Sequence, residues 1–446
     1  MSTSPTTSQA KAAAESRWPE SASLFDRATR FLPGGNTRSQ LYVAPHPLYV
    51  ERGEGARITL VDGQVLDDFL LNYTAAAVGY GNPHVRKAVE RALATGAPFG
   101  MPTRWEIELA EALEERVPAL KRVRFTNSGS EATLHAIRTA RAYSGRTLVA
   151  KAEGAYHGSH DLTDFSVYTI ADEPLGIVPG TRGIPAALAD QIVLFPFNDL
   201  DRTIAVLEGR KDDLATVILE PFLNSAGAIR ADGEYLQGIE RWCRENEILL
   251  TLDEVASFRV SYSGAHSDAG ITPDLICLGK SIGGGFAVGA FGGSEEVMAI
   301  LDPRDSRHIK HAGTFNGHPA TMAAGRAALE VLDRDAIDRM NRLGGRIVEG
   351  IRAIGADHDL PLTAAGYGSI GNIHLGRTPP RNAREALDLP KQPVVDLYWA
   401  LIERGYVIAP RGQFSTCAVT TDDQVDGLIE ALADCAPSAL KDVDDR

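Results

Sequence analysis

The chain has 446 residues, 44% hydrophobic and 23% charged, which is ample for a large core and for two or three domains. Its formal net charge of −14 argues against nucleic-acid binding and against adhesion to anionic membranes. No apolar run approaches the roughly 20 residues of a membrane span. The four cysteines, Cys243, Cys277, Cys417 and Cys435, lie far apart with no C-x-x-C pair, which fits a reducing cytoplasm better than a disulfide framework or a zinc site.

Residues 1–17 are small and polar and read as a disordered tail. Helix signals over Ser21–Phe31 stop at Pro33-Gly34-Gly35. The alternating stretch that follows, with turns at Gly53, Gly55 and Asp62-Gly63, predicts strands joined by hairpins. From Asn82 the pattern turns helical, with Pro83 at a helix start and Val85, Val89 and Leu93 at helical spacing. A second helix is expected over Glu106–Arg116 and a short strand over Val123–Phe125. Ser128, Gly129 and Ser130 then open a helix expected over Glu131–Tyr143. A small Ser/Gly turn at a helix start offers backbone N–H groups and a positive dipole end to a phosphate, and equally makes a plain N-cap.

Thr147–Ala150 predicts another strand, with Tyr156, His157 and Gly158 just beyond it. An aromatic side chain there could stack on a flat ring. The pair His157 and His160 has no acidic or thiol companions, so no metal site is expected. Residues from Phe165 to Asp190 read as a long surface excursion. Thr216–Leu219 is an apolar run ending at Glu220-Pro221, and a helix marked by Leu236, Ile239 and Cys243 follows. Strands and helices alternate from about Val123 to Leu278, the pattern of a mostly parallel α/β sheet. Residues from about 335 read as a separate α+β lobe, with strands at 369–375, 406–409 and 416–420 and helices at 335–355, 393–404 and 422–434.

The chain is organised around Ile248–Gly285. Two short apolar runs, Ile248–Leu252 and Leu275–Leu278, read as buried strands. The first ends on Asp253. The second ends on Lys280, followed by Gly283, Gly284 and Gly285, whose bare backbone permits close approach of a ligand. Singly, Asp253 and Lys280 are ordinary surface charges. Together, at the ends of two core strands, they are the pair that pyridoxal 5′-phosphate (PLP) chemistry needs: an amine that condenses with the aldehyde, and a carboxylate that keeps the pyridine nitrogen protonated.

The ordered set Ser128-Gly129-Ser130, Tyr156-His157-Gly158, Glu220-Pro221, Asp253-Glu254-Val255, Lys280 and Gly313-Thr314-Phe315 resembles the class III, fold-type I, PLP-dependent aminotransferases over about residues 20–435. The resemblance implies a large domain with a seven-stranded, mostly parallel sheet between helices (residues 76–333). It also implies a smaller α+β domain (334–446) with which the N-terminal segment 18–75 packs. It implies that Lys280 holds the cofactor covalently and moves the substrate proton, and that Asp253 pairs with the ring nitrogen. Val255 and Tyr156 cover the two ring faces, with His157 beside them. Ser128, Gly129 and Ser130 hold the phosphate, and Glu220 lies near the ring's substituent edge. Thr314 reaches the phosphate of the neighbouring subunit, which makes the protein a homodimer. Ser130 stands where many relatives carry threonine.

Two subfamilies compete. FLPGGNTRS and GGGFAVGAFGG look broadly like glutamate-1-semialdehyde aminomutase. PGGNTRSQLYVAPHPL and IAPRG look more like β-phenylalanine aminotransferases, in which arginines matching Arg38 and Arg411 bind substrate carboxylates. The expected activity is transfer of an amino group from a β-amino acid, an aromatic one such as β-phenylalanine, to a 2-oxo acid such as 2-oxoglutarate or pyruvate.

Overall fold

The computed structural model describes residues 16–441 and 443. The first fifteen residues of the expected tail lie outside it. Arg17, by contrast, is helical and ion-paired to Glu403 at 2.7 Å.

The first three strands, β1 (Val50–Glu54), β2 (Arg57–Leu60) and β3 (Val65–Asp68), form an antiparallel meander. Then come β4 (Arg122–Thr126), β5 (Leu148–Ala152), β6 (Ile192–Phe195) and β7 (Leu214–Leu219). A short hairpin, β8 (Phe222–Leu223) and β9 (Ile229–Arg230), precedes β10 (Leu249–Asp253), β11 (Leu275–Gly279) and β12 (Gly289–Gly293). The central sheet has seven strands in the order β4-β12-β11-β10-β7-β5-β6, and β12 alone runs against the rest.

Burial on both faces explains the near-continuous apolar runs of the central strands. Along β5, Val149 packs with Ile137 of the helix Gly129–Ser144 on one face. Its neighbour Ala150 packs with Tyr235 and Trp242 of the helix Gly233–Glu245 on the other. The same alternation sends Lys151 to the Val149 face. β6 and the helix Leu200–Glu208 have no counterpart among the expected elements; Ile192–Phe195 is only four residues long.

The C-terminal part builds a three-stranded antiparallel sheet from β13 (Leu362–Tyr367), β14 (Ile370–Leu375) and β16 (Gln413–Ser415), ordered β13-β14-β16. Helices Arg334–Asp357, Gln392–Glu403 and Asp422–Ala439 cover it through Leu343, Ile347, Leu397, Leu401 and Leu428. β15 (Tyr406–Val407) leaves this group and pairs in parallel with β3. The N-terminal meander is thus tied to the C-terminal lobe across the whole sequence.

One strand here has no counterpart among the expected elements, and one expectation fails. β13 reads LTAAGY, poor in β-branched residues, and escapes a pattern search; its place is set by pairing with β14. The strand expected over 416–420 sits earlier, at Gln413–Ser415. Residues 416–420 instead bend, with the Thr420 hydroxyl accepting from Cys417 N at 2.9 Å. Thr421 and Gln424 then close a capping box on the last helix.

One glycine couples this sheet to the turn at Ser128. A Cβ on Gly289 of β12 would collide with the Ser128 carbonyl and the Thr126 hydroxyl. Gly289→Ala is therefore expected to destabilise the fold by about 1–3 kcal/mol through overpacking. The check is a lower denaturant midpoint at unchanged slope.

Candidate active site

The C-terminal ends of β5, β7, β10 and β11 open onto one cavity of about 460 Å3. Open α/β sheets gather ligands at this edge. Asn127, Ser128, Gly129 and Ser130 line it from the β4 end, Tyr156 and His157 from beyond β5, and Glu220 and Asn224 from beyond β7. Asp253 and Val255 line it from β10 and Lys280 from β11. All of these but Asn127 and Asn224 were placed in one set by the sequence, and the fold brings them together.

Asp253 is buried, 6% exposed, with both oxygens occupied. Val255 N donates to Oδ1 at 3.0 Å, and His157 Nδ1 lies 2.9 Å from Oδ2. Burial lowers the His157 pKa although Asp253 opposes it, so the ring is neutral. A carboxylate only accepts, so the proton sits on Nδ1. His157 Nε2 then has no partner among the described residues.

Lys280 directly follows β11 with φ of +47°, a left-handed conformation that a side-chain-bearing residue adopts at a cost of about 1–2 kcal/mol. The strain is held by buried neighbours, Ser281 and Ile282. Burial lowers its amine pKa, Asp253 and Glu220 pull it back up, and the Arg259 charge adds to the lowering. The amine therefore loses its proton more easily than an exposed lysine, as a nucleophile or proton carrier must.

Glu220 accepts from Tyr156 N at 2.9 Å. Burial, with the Asp253 charge, raises its pKa to about 8. Behind it sits a residue that the motifs do not single out. Lys151 is wholly buried on β5 and donates to Phe165 O at 2.6 Å. Burial lowers its pKa to about 7.

The turn at Ser128 does what a cap does: its hydroxyl accepts from Glu131 N at 3.1 Å. The helix begins at Gly129, two residues earlier than expected, so the first-turn N–H groups of Gly129 and Ser130, both cavity-lining residues, have no intrahelical acceptors. A Cβ at Gly129 would come within 2.8 Å of Val255, and one at Gly158 within 2.6 Å of Ser130. The two glycines keep this corner narrow but open.

The segment Leu71–Thr74 was invisible in the sequence. All four residues have positive φ, between 47° and 75°. Asp68 holds the segment by accepting from Leu70 N and Leu71 N at 2.7 and 2.8 Å. The buried Arg259 guanidinium donates to Thr74 O at 3.0 Å and also to Thr416 O. This turn sets Asn72 on the cavity wall, where it accepts from Arg38 Nη1 at 2.9 Å.

Neither of the two sequence-predicted arginines, Arg38 and Arg411, lines this cavity: Arg38 reaches it only through Asn72, and Arg411 lines a neighbouring one. The Arg38 guanidinium is 6.0 Å from the Tyr73 ring and that of Arg411 is 4.9 Å from the Tyr168 ring. Burial raises the Tyr73 phenol, and the Arg411 and Arg38 charges both oppose the rise. Thr314 is not part of this cavity. It is exposed and lines a separate one of about 770 Å3 with Phe99, Met101 and Phe315.

These residues suit PLP. The helix start, with Ser128 and Ser130, offers N–H and hydroxyl groups to a phosphate; Val255 and Tyr156 line the same cavity as apolar and aromatic surfaces for a flat ring; and the Asp253 carboxylate and the Lys280 amine line it too. The fold and the site define a fold-type I PLP-dependent enzyme. Residues 40–436 match the class III aminotransferase family. A glutamate-1-semialdehyde 2,1-aminomutase from Methanothrix thermoacetophila is 37% identical over 92% of this chain and 95% of that protein. An omega-transaminase structure from Sphaerobacter thermophilus superposes with a TM-score of 0.90 at 42% identity, covering 95% of this chain and 97% of that one. A β-phenylalanine aminotransferase structure from Variovorax paradoxus gives 0.88 at 31% identity, covering 97% and 98%. The chain belongs to the class III aminotransferases, and its cofactor is pyridoxal 5′-phosphate.

The raised Glu220 pKa carries a pH signature. The folded chain keeps a proton up to about pH 8 that the unfolded chain releases near its ordinary value of 4.5. The stabilisation is complete below the lower value and is lost as pH rises to the upper one. The stability of cofactor-free wild type relative to Glu220→Gln should fall across that window and level off above it, as read by denaturation at stepped pH. A flat difference would contradict the assignment.

Proposed function

We propose that the protein transfers an amino group from a β-amino acid, an aromatic one such as β-phenylalanine, to a 2-oxo acid such as 2-oxoglutarate or pyruvate. When bound, PLP supplies an aldehyde that accepts the amino group and a ring that takes up the electron pair left on the substrate carbon. Lys280 anchors the cofactor through its Nζ and, once released, carries the proton between substrate and cofactor. Asp253, fixed by His157 and Val255 N, holds a proton at the ring nitrogen. Tyr156 and Val255 enclose the ring, His157 backs it, and Ser128, Gly129 and Ser130 hold the phosphate. Glu220 sits at the substituent edge.

The observation that carries the β-amino-acid reading is the pair of guanidiniums, Arg38 and Arg411, beside Tyr73 and Tyr168 and outside the lining of the cofactor cavity. A β-amino acid holds its carboxylate one carbon further from the reacting centre than an α-amino acid does. A clamp displaced from the ring suits it, and guanidinium grips carboxylate in bidentate fashion. The names of the two structural relatives support this reading. The second reading, glutamate-1-semialdehyde aminomutase, rests on the name of the sequence relative and needs no external acceptor.

We further propose a homodimer in which Thr314 serves the partner's cofactor. Around Thr314, Phe99, Met101, Ile107 and Phe315 are 47%, 81%, 56% and 55% exposed, an apolar surface of the kind that associating subunits cover. We place the protein in the cytoplasm, in keeping with four unpaired, buried cysteines.

Titrating β-phenylalanine into the PLP-loaded protein should remove the cofactor's visible band, and 2-oxoglutarate or pyruvate should restore it. Lys280→Ala should abolish turnover. No response to any β-amino acid, with a response to glutamate semialdehyde that needs no added oxo acid, would replace this reading with the aminomutase.

Arg38→Ala should raise KM for β-amino acids roughly 10–150-fold, the equivalent of losing a charge-assisted pair of about 1.5–3 kcal/mol. An unchanged KM would remove Arg38 from the site.

A further inference from the structure

Arg38 sits on a segment with little structure of its own, between the short turns Pro33–Gly35 and Ser39–Leu41. Two hydrogen bonds from outside that segment place it. Arg38 Nη1 donates to Asn72 Oδ1 at 2.9 Å, and the Tyr73 hydroxyl donates to Gln40 O at 3.2 Å. Asn72 and Tyr73 both belong to the left-handed turn Leu71–Thr74.

That turn is fixed from beneath. Asp68 accepts from Leu71 N at 2.8 Å. Arg259, 1% exposed, donates to Thr74 O at 3.0 Å and to Thr416 O. No carboxylate pairs with Arg259 among the described residues, and its Nε has no partner there. A buried charge without a counter-charge is costly. Here it is used to hold backbone, and left-handed backbone at side-chain-bearing residues persists where its surroundings over-determine it, most often at functional sites.

The residue carried by this turn is an amide, and the choice has a consequence. Other exposed arginines of the chain, Arg57 and Arg122, are paired with Asp67 and Glu295. Arg38 has no carboxylate partner among the described residues. An aspartate at position 72 would tolerate the same backbone and grip the guanidinium more strongly, but it would neutralise it. Asn72 supplies one acceptor oxygen and no charge. Of the five guanidinium N–H groups it engages one, which leaves the others and the full charge for an anion. Asn72 itself lines the cavity that holds Lys280.

We propose that Asn72 sets the preference for a carboxylate-bearing amino donor, by fixing the Arg38 guanidinium at the cavity wall while leaving it charged. The inference rests on the reading above in which Arg38 binds the donor carboxylate, and it assigns the placement of that clamp to a neutral residue. Asn72 acts through Arg38 and is a positioning residue, with Arg259 as the anchor of its turn.

The test compares two unreactive probes on the PLP-loaded protein by calorimetry. 3-Phenylpropanoate and 3-phenylpropanamide have the same shape and differ in charge. Wild type should bind the acid at least about tenfold more tightly, the worth of a charge-assisted pair. Asn72→Asp should bring that ratio close to one and leave the amide's affinity unchanged. Asn72→Gly, which accepts positive φ and removes the acceptor, should lower the ratio as well, and provides the test if the first variant does not fold. A ratio that both variants leave in place while Arg38→Ala removes it would keep the clamp and overturn the inference. Equal weakening of both probes in both variants would show a structural role only and would also overturn it. A ratio near one in wild type would remove the clamp and the inference with it. The probes carry no amine, so the result is separate from turnover. A large ratio that Asn72→Asp abolishes, in a protein that turns over no β-amino acid, would uphold the role of Asn72 and sink the transfer reading.

Discussion

A carboxylate buried at the end of a strand, with both oxygens satisfied, is the constraint on which the site depends. Asp253 stays inside because Val255 N and His157 Nδ1 take one oxygen each. That in turn requires His157 to be neutral and to lie on the loop beyond β5, two strands away in the sheet. An unpaired charge at this depth would cost several kcal/mol. The parallel order β10-β7-β5 brings the two together at one edge.

The same edge concentrates more ionisable groups than burial alone tolerates. Lys151, Glu220, His157 and Lys280 are all displaced from their ordinary pKa values, and burial is the first cause in each. The displacements run in the direction that removes charge. Groups poised between protonation states are what proton-transfer chemistry uses. Left-handed backbone occurs nearby at Lys280 and in the Leu71–Thr74 turn, the turn being pinned by Asp68 and by Arg259.

Much of this was legible beforehand because it is local. The apolar runs ending on Asp253 and Lys280 mark buried strands. A Ser/Gly turn before a helical repeat marks an N-terminus. The order of short motifs marks a family. What escaped has a common character. β13 is alanine-rich and exists because β14 pairs with it. The strand read at 416–420 shifted to 413–415 because hydrogen bonds to β14 place it there. Asn72, Lys151 and Asn224 carry no motif, and only their neighbours in space make them part of the site.

The sequence by itself determined the class of chemistry: a lysine and an aspartate at the ends of core strands, a phosphate-sized turn, and two arginines outside the core. Those are properties of residues and their near neighbours in the chain, and periodicity and short-range turn chemistry encode them. The tertiary structure alone decided which arginine stands beside which tyrosine. It also decided that Thr314 and Arg411 line different cavities from Lys280. Those follow from strand order and from β15 crossing to β3, pairings between residues hundreds of positions apart that no local pattern carries.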